Sequence, residues 1–205
     1  MSCGKRLLDI TISGVGLILC SIPMAVIAPA IKLTSRGPVF YRQERVGKHG
    51  KLFRVYKLRT MHVVQQNAST VTVAGDSRIT LVGRFLRAWK LDEFPQLINV
   101  FTGDMSLVGP RPDVPGYADK LKGSARDILQ LRPGITGPST LAFADEELLL
   151  QNVEDPLRYN NEVIFPKKVK LNMEYLDRCS LAVDLGYLFK TAMFLMGRLR
   201  RKSRF

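Results

Sequence analysis

The adjacent acids Asp92 and Glu93 are the residues of this sequence best suited to chemistry. Pro95 follows closely, and because proline is favoured in the first turn of a helix, a helix is expected to begin near Asp92. The Asp92 carboxylate could cap this helix, or it could attack a phosphate bound by the free amides of the helix start. In the first case Glu93 is a solvated first-turn acid, and in the second the pair holds Mg²⁺ while one member acts.

A carboxylate that attacks a phosphate needs cations nearby, because the two negative charges repel each other. The candidate cations are Lys57, Arg59, Arg87, Arg111 and Arg132. Each could instead be an ordinary solvated surface cation. Arg111 and Arg132 are the strongest candidates, since neighbouring prolines stiffen their loops and pre-order the guanidinium groups. The two histidines lie in predicted turns or loops, and no cluster of cysteine and histidine suggests zinc.

The elements around the acid pair can be read from periodicity. Helical spacing over 79–89 and 93–101 predicts two helices, which place the following apolar residues on inward faces: Leu86, Trp89, Phe94, Leu97, Ile98 and Phe101. Alternation over 37–43 and 52–58, with a turn at 46–51, predicts a small basic β-hairpin that carries Lys57. A loop rich in glycine and proline over 103–115 carries Arg111.

An apolar run of 22 residues without a charged side chain extends from Ile10 to Ile31, which is the length of a bilayer-crossing helix. No small-residue cleavage site precedes Lys32, so a cleaved signal peptide is disfavoured. Pro23 and Pro29 predict a bend, which leaves a bent spanning helix and a re-entrant hairpin both open. Cations at both ends of the run suit two ends on the cytoplasmic side.

Charge is concentrated in two places. The net charge is +13, residues 32–59 hold nine cations and one acid, and the last eight residues hold five cations and no acid. Apolar residues at three- and four-residue steps from Leu185 to Leu199 predict an amphipathic helix before the second patch. This helix could pack on the core or lie on an anionic membrane surface. The hydrophobic content of 46% excludes disorder.

Several motifs occur in order along nearly the whole chain. They are the charged segment 5–9, the proline-interrupted apolar run, GPVFYRQ at 37–43 with RVG at 45–47, YKLRTM at 56–61, LDEFPQLINV at 91–100, GDMSLVGPRP at 103–112 and RPGITG at 132–137. Together they resemble the bacterial sugar transferase family, the monotopic phosphoglycosyl transferases.

The resemblance implies an enzyme that transfers a phosphosugar from a UDP-sugar to polyprenol (undecaprenyl) phosphate, releasing UMP. It implies that Asp92 is the nucleophile, forming a covalent phosphosugar intermediate, that Glu93 is its partner, and that Mg²⁺ is bound at the pair. Arg59, Arg87 and Arg111 fall on cationic positions of the family's active site. The reaction would be the first membrane step of polysaccharide, O-antigen or glycoprotein assembly.

The resemblance also implies a re-entrant helix-break-helix anchor at the cytoplasmic face of the inner membrane. The break would involve Ser21 and Pro23, although family members commonly have serine directly before the proline and here Ile22 intervenes. We therefore expect an α+β, mostly helical membrane enzyme: a membrane helix at 1–35, a cytoplasmic catalytic domain at 36–178 and a basic amphipathic helix at 179–205.

The expected partners are the UDP-sugar, polyprenol phosphate and membrane lipids, with a homodimer left open. The alternative from another class is a membrane-anchored protein that binds polyanions without catalysis, which the net charge alone would permit. Nucleic acid is not expected, because aromatic residues are not interleaved with the cations.

Overall fold

The computed structural model describes residues 3–62 and 76–202, with side chains as far as residue 197. Within these residues the fold is α+β and mostly helical, as the sequence predicts. The helices are α1 (Cys3–Thr34), α2 (Leu81–Ala88), α3 (Gln96–Thr102), α4 (Pro138–Ala142), α5 (Glu146–Gln151), α6 (Pro156–Tyr159), α7 (Phe165–Arg178) and α8 (Leu181–Lys202). The strands are β1 (Phe40–Val46), β2 (Leu52–Leu58), β3 (Ser106–Val108) and β4 (Gly134–Thr136).

Helix α1 is the apolar element that the sequence predicts. Among the described residues it is the one helix long and apolar enough to cross a membrane, and Ile18, Ile22 and Val26 in its middle are each more than 70% exposed. The predicted break at Ser21 and Pro23 is not observed. The helix runs continuously through the prolines, because each proline removes only one backbone donor from a long helix. The re-entrant arrangement stays a prediction.

The N-terminal end of α1 is bonded to the rest of the protein through buried charges, which we call the N-terminal ion cluster: Lys5, Asp9, Tyr175 and Asp184. The Lys5 ammonium pairs with Asp184 and donates to the Val108 carbonyl at 3.0 Å, and the Tyr175 hydroxyl also donates to Asp184. Asp9 Oδ1 accepts hydrogen bonds from one backbone amide and one serine hydroxyl of β3. The cluster therefore joins α1 to β3, α7 and α8.

The other end of α1 contacts the same body. Ile31 is buried against Leu58 and Leu86, and Ser35 follows the helix directly. The buried Arg59 guanidinium donates to the Ser35 carbonyl at 2.7 Å and also to the Pro38 carbonyl. Both ends of the apolar helix are thus held by one folded unit.

Strands β1 and β2 form an antiparallel hairpin, with Phe40 opposite Leu58 and Val46 opposite Leu52. Strand β2 has the predicted range, but β1 begins and ends three residues later than the predicted 37–43, because alternation locates a strand better than it locates its ends. The turn contains His49 in the left-handed region. Asn99 of α3 holds β2 through its side chain, which donates to the Arg54 carbonyl at 2.8 Å and accepts from the Tyr56 amide at 3.1 Å. Helix α3 therefore fixes the strand that carries Lys57.

The predicted inward faces of the two helices around the acid pair are partly wrong. Leu86 is fully buried, but Trp89 is 38% exposed and Phe101 is 48% exposed. The buried positions of α3 are Gln96, Asn99 and Val100. Helical periodicity locates an apolar stripe, but it does not say whether a protein core or another apolar phase covers that stripe.

Helix α8 divides its apolar residues between two surfaces. Val183, Tyr187 and Leu188 pack against the core cluster that contains Val55 and Met105. The remaining stripe is exposed, namely Leu185, Phe189, Met193 and Met196. The helix is therefore amphipathic and at the surface. Side chains of its basic end, from residue 198 onward, lie outside the described residues, so the predicted contact of that end with anionic lipid stays a prediction.

Candidate active site

The acid pair lies in a tight turn between α2 and α3. Lys90 adopts a left-handed conformation (φ 55°, ψ 22°), which reverses the chain after α2 and leads into a 3₁₀ turn at Leu91–Glu93. Helix α3 begins only at Gln96, after Pro95, and neither the turn nor α3 has a side-chain cap. Asp92 is therefore not a helix cap, and the helix starts later than the sequence suggests.

The two carboxylates have opposite environments although they are adjacent. Asp92 is 7% exposed, and its Oδ1 atom is buried without a hydrogen-bond partner. Burial and the neighbouring Glu93 raise the pKa of Asp92, against the opposing effect of Lys57, Arg87 and Lys90. Asp92 is thus a desolvated carboxylate with one oxygen, Oδ1, that no group in residues 3–62 and 76–197 bonds.

Glu93, in contrast, is neutralised by two cations. Its Oε1 accepts from Lys57 Nζ at 3.0 Å and from Arg111 Nη2 at 2.7 Å. Burial alone would raise the pKa of Glu93, but Arg111 and Lys57 hold it well below its usual range. Burial lowers the pKa of Lys57 despite the attraction of Glu93. Glu93 is therefore a fixed anion that orders both cations.

Arg111 reaches this position because its loop packs closely on another segment. The parallel pair β3–β4 places Gly109 against Gly134, and a side chain at either glycine would collide with the backbone of the other segment. The Gly134 amide donates to the Pro110 carbonyl at 2.8 Å, and Gly109 bonds to the Thr136 carbonyl at 2.9 Å. The glycines of both motifs thus allow the close approach that holds Arg111 beside Glu93.

The acid pair opens into a cleft of about 830 Å³. Its polar part includes cations from four elements and loops: Arg45, Lys57, Arg84, Arg87, Lys90, Arg111 and Lys168. Its apolar part lies between α3, β4 and α8 and includes Leu97, Ile135, Leu188, Phe194 and Leu195. One cleft therefore combines anion-binding side chains with an apolar wall.

Polar atoms without partners are concentrated in this cleft. In the described part of the chain, six buried side-chain polar atoms lack a hydrogen-bond partner, and four of them belong to residues that line the cleft. These four are Asp92 Oδ1, Arg87 Nη1, Ser139 Oγ and Thr140 Oγ1. Arg87 Nη1 faces Glu147 at 3.4 Å without a hydrogen bond. Buried polar groups are normally paired, so this concentration indicates a ligand site.

The structure brings some of the predicted cations to the acid pair and not others. Lys57, Arg87 and Arg111 line the cleft. Arg59 lies outside it, with its guanidinium bonded to Ser35 and Pro38. Arg132 also lies outside the cleft lining, and its guanidinium is near Gly103 at the C-terminal end of α3.

The two positions of the predicted membrane break are also remote from the cleft. Ser21 and Pro23 lie in α1, where the Ser21 hydroxyl donates to the Ile18 carbonyl at 2.7 Å. This bond is an ordinary contact within one helical turn.

Several residues that line the cleft were not among the candidate site residues predicted from the sequence. Burial raises the pKa of Asp113 to about 6, against the attraction of Lys168 and Arg45. Lys168 pairs with Glu146 at 2.7 Å. Asp113 could have been found from the sequence, because it directly follows the motif that carries Arg111. Nothing near Lys168 in the sequence indicates that this residue of α7 reaches the same cleft.

Comparison with known proteins gives a consistent result over nearly the whole chain. Residues 1–198 match the family model described as bacterial sugar transferase. The chain is 36% identical over 192 residues to the UDP-glucose:undecaprenyl-phosphate glucose-1-phosphate transferase of Klebsiella pneumoniae, covering 91% of this chain and 39% of that protein.

Two further relatives extend the comparison. A protein of the same name from Caulobacter vibrioides is 36% identical over 198 residues, covering 94% of this chain and 69% of that protein. The undecaprenyl-phosphate galactose phosphotransferase of Salmonella typhimurium is 36% identical over 207 residues, covering 88% of this chain and 40% of that protein. The chain thus spans well under half the length of the Klebsiella and Salmonella relatives.

Proposed function

The chain belongs to the bacterial sugar transferase family, and from this premise we propose that it transfers a sugar 1-phosphate from a UDP-sugar to polyprenol phosphate. The products are UMP and a polyprenyl-diphosphate-sugar, which begins the assembly of a membrane-linked glycoconjugate. Undecaprenyl phosphate is in the names of the Klebsiella, Caulobacter and Salmonella relatives, which supports this acceptor. Those names differ in the sugar, so the proposal extends to a UDP-sugar without choosing one.

The observation that carries the proposal is the contrast between the two adjacent carboxylates. Glu93 is bound by Lys57 and Arg111, whereas Asp92 is buried with Oδ1 unbonded at the edge of a cationic cleft. A desolvated carboxylate without a hydrogen-bond partner in the protein lowers the stability of the fold, but it is a suitable nucleophile. Asp92 is therefore assigned the attack on phosphorus.

The reaction proceeds in two displacements. A carboxylate oxygen of Asp92 attacks the phosphorus that bears the sugar, and the bond from that phosphorus to the bridging oxygen of the diphosphate breaks. UMP departs with the electron pair, leaving an acyl phosphate between Asp92 and the sugar. An oxygen of polyprenol phosphate then attacks the same phosphorus and restores the Asp92 carboxylate. Lys57, Arg87 and Arg111 bind the phosphate oxygens and reduce the repulsion in both steps.

The residues fit the Mg²⁺ that the resemblance implies. No group of three or more acidic, histidine or cysteine side chains in residues 3–62 and 76–202 could hold a metal ion alone. Mg²⁺ commonly binds through one or two carboxylates together with substrate phosphates and water. Asp92, through its unbonded Oδ1, and Glu93 would hold it. When bound, the ion supplies positive charge to the diphosphate of the donor.

The apolar parts of the protein support a membrane-bound acceptor. The cleft wall formed by Leu97, Ile135 and Leu188 suits the first isoprene units of a polyprenol. Both ends of α1 are bonded to the same folded unit, through Lys5 at one end and Ser35 at the other. Two ends on one side of the membrane are what a re-entrant helix at the cytoplasmic face of the inner membrane requires.

Isotope exchange tests the proposal directly. Purified protein is incubated with UDP-sugar, labelled UMP and Mg²⁺, without polyprenol phosphate. A two-step reaction exchanges label into the UDP-sugar, because the first displacement is complete and reversible without the acceptor. Asp92→Asn should abolish this exchange, since the amide keeps the size of the side chain but cannot attack phosphorus.

Asp104→Asn is the matched control, because Asp104 is an exposed acid at the C-terminal end of α3 and does not line the cleft. It should exchange label like the wild type. Normal turnover with the lipid acceptor but no exchange without it would contradict the covalent step and indicate direct transfer in a ternary complex. No turnover with any UDP-sugar would contradict the proposed function itself and favour the polyanion-binding alternative.

A further inference from the structure

Two neighbouring hydroxyl groups of α4 lie at the cleft without hydrogen-bond partners. Ser139 and Thr140 both line the cleft, and Ser139 is 1% exposed. In the described part of the chain no group bonds Ser139 Oγ or Thr140 Oγ1, although both atoms are buried. Buried hydroxyl groups are normally bonded, so two adjacent ones without partners point to bonds that a ligand completes.

The position of α4 in the chain explains why the protein itself does not bond these hydroxyls. Serine and threonine inside a helix can donate to a carbonyl one turn earlier, as Thr102 does to Ile98 at 3.0 Å. Helix α4 begins at Pro138, so no helical turn precedes Ser139 and Thr140. The carbonyls of the two residues before α4 already accept backbone amides. Each hydroxyl can therefore turn toward a ligand by rotation about χ1.

Two other hydroxyls that line the cleft are bonded within the protein. Thr191 donates to the Tyr187 carbonyl at 2.7 Å, and Thr136 bonds to Thr191 at 2.6 Å. Since the single hydroxyl proton of Thr191 is already used, Thr136 is the donor of the second bond. The unbonded state of Ser139 and Thr140 is thus a property of α4 and not of hydroxyl groups throughout the cleft.

Helix α4 is held beside a residue assigned to phosphate binding. The Cβ atom of any side chain at Gly137 would lie 2.2 Å from the Gly109 carbonyl oxygen, so the backbone before α4 packs directly on the loop that carries Arg111. Ser139 and Arg111 each follow one of these glycines by two residues, and both line the cleft. Because Arg111 binds Glu93 at 2.7 Å, the two hydroxyls share the cleft with the acid pair.

The charges around α4 favour a neutral ligand over a phosphate at this place. Glu146 and Glu147 of α5 follow α4 and line the same cleft. They face two of its cations: Glu146 pairs with Lys168 at 2.7 Å, and Glu147 lies 3.4 Å from Arg87. A ligand rich in hydroxyl groups suits this wall, because each hydroxyl can both donate and accept a hydrogen bond.

We propose that Ser139 and Thr140 bind hydroxyl groups of the transferred sugar and so contribute to the choice of UDP-sugar. The inference rests on the proposed function, because the phosphorus that Asp92 attacks carries that sugar, which must then lie in the cleft next to the acid pair. A site that hydrogen-bonds a substrate hydroxyl rejects an analogue without it, since the buried polar groups of the site are left unpaired. The two residues are assigned to specificity and not to the chemical steps.

Monodeoxy analogues of the donor test these contacts. The preferred donor is chosen by turnover from UDP-glucose, UDP-galactose, UDP-N-acetylglucosamine and UDP-N-acetylgalactosamine, and analogues that each lack one sugar hydroxyl are then compared with it. For the wild type, removal of a bound hydroxyl should lower kcat/KM by about tenfold. Ser139→Ala or Thr140→Val should lower kcat/KM for the complete donor by a similar factor and lose nothing further with that analogue. Equal losses for the wild type and both variants at every hydroxyl would overturn the proposal.

Inhibition by UMP separates the transferred sugar from the nucleotide. UMP lacks that sugar, so its inhibition constant should be the same for the wild type, Ser139→Ala and Thr140→Val. A rise in this constant that matches the loss in kcat/KM would place the two hydroxyls at the nucleotide and overturn the proposal. The melting temperature should not fall, because each variant removes a polar group that is already unsatisfied.

Ser106→Ala and Thr102→Val are the matched controls. Both hydroxyls are bonded within the protein, to Asp9 at 3.2 Å and to Ile98 at 3.0 Å, and neither residue lines the cleft. Both variants should lose the same factor as the wild type with every analogue. A control that instead follows the pattern expected of Ser139→Ala would overturn the assignment to α4.

The measurements also separate this inference from the proposed function. Exchange of UMP that Asp92→Asn abolishes, together with equal analogue losses in all variants, would keep the proposed function and overturn the sugar contacts. No turnover of the wild type with any of the four donors would contradict both.

Discussion

The N-terminal ion cluster and the cleft both bury charged side chains, but they differ in how those charges are bonded. In the cluster, Lys5 binds Asp184, Tyr175 and the Val108 carbonyl, and only Asp9 Oδ2 lacks a partner. In the cleft, four buried polar atoms lack one. A buried charge whose bonds are complete is compensated, and removing its partner is strongly destabilising. A buried polar group without a hydrogen-bond partner destabilises the fold and can be retained for binding or catalysis.

The largest expected effect is the loss of turnover when the Asp92 carboxylate is replaced. Asp92→Asn is expected to lower turnover by on the order of 10⁴-fold or more, as the loss of a nucleophile does in other enzymes. Its melting temperature should not fall, because the variant removes a desolvated charge that nothing in the protein compensates. Steady-state kinetics and thermal unfolding in detergent measure the two effects. A clear loss of stability would place Asp92 with the structural charges instead.

The opposite result is expected in the N-terminal ion cluster. Lys5→Met leaves Asp184 buried without its cation and should destabilise the protein by roughly 3–5 kcal/mol. Denaturant unfolding in detergent measures this loss. Adding Asp184→Asn should recover part of it, because no charge then remains unpaired. A loss below about 1 kcal/mol, the range of exposed ion pairs, would contradict the structural role.

The two members of the acid pair should respond to pH in opposite directions. The pKa of Glu93 is lowered in the folded state, so its stabilising contribution is present above its unfolded value near 4.5 and is lost as pH falls through the folded value. Glu93→Gln should therefore cost roughly 1.5–3 kcal/mol at neutral pH, the value of a hydrogen bond to a charged group. This cost should disappear in acid.

The pKa of Asp92 is raised in the folded state, so the sign is reversed. Its carboxyl group favours folding below the unfolded pKa and opposes it increasingly as pH rises through the folded pKa. Asp92→Asn should gain stability relative to the wild type over that same rise. Unfolding curves of the two variants across pH measure both trends. Parallel curves would show that the two carboxylates do not differ as described.

The smallest expected effect is the difference in stability between alanine variants of two fully buried serines. The Ser106 hydroxyl is bonded to Asp9 Oδ1 at 3.2 Å, and Ser139 Oγ in the cleft has no partner. Ser106→Ala should cost about 1 kcal/mol, and Ser139→Ala should be neutral or stabilising, because it removes a polar group that is already unsatisfied. Thermal unfolding of the matched variants decides this. Equal destabilisation would mean that Ser139 is bonded within the protein.

Local pattern was sufficient for several features of the fold. The charge-free run predicts α1, and alternation predicts β2 and, three residues too early, β1, because both signals depend only on neighbours in the chain. The acid pair next to Pro95 stood out for the same reason. The position of the helix start did not follow, since Pro95 lies before α3 and Asp92 belongs to a separate turn that the left-handed Lys90 initiates.

The sequence does not show which of the candidate cations lie in the cleft beside the acid pair. Lys57 and Arg59 are only two residues apart at the end of the hairpin. Yet the Arg59 guanidinium binds the chain after α1, while the Lys57 ammonium binds Glu93, because the partners that meet these two side chains come from different parts of the sequence. The stiff loop around Arg132 predicts a pre-ordered guanidinium group, but stiffness does not specify the direction in which that group points. Lys168 comes to the cleft from α7 through contacts distant in sequence.

Trp89 shows the same limit for apolar residues. Its helical spacing placed it correctly on a stripe, but not in the core. A residue's own type and spacing determine which face of a helix is apolar. Whether lipid, protein or water meets that face depends on how α1, α2 and the cleft are arranged. Neighbouring residues are enough to single out the acid pair as a candidate site. Which charges are bonded follows only from the folded chain, because those bonds join atoms from distant parts of the sequence.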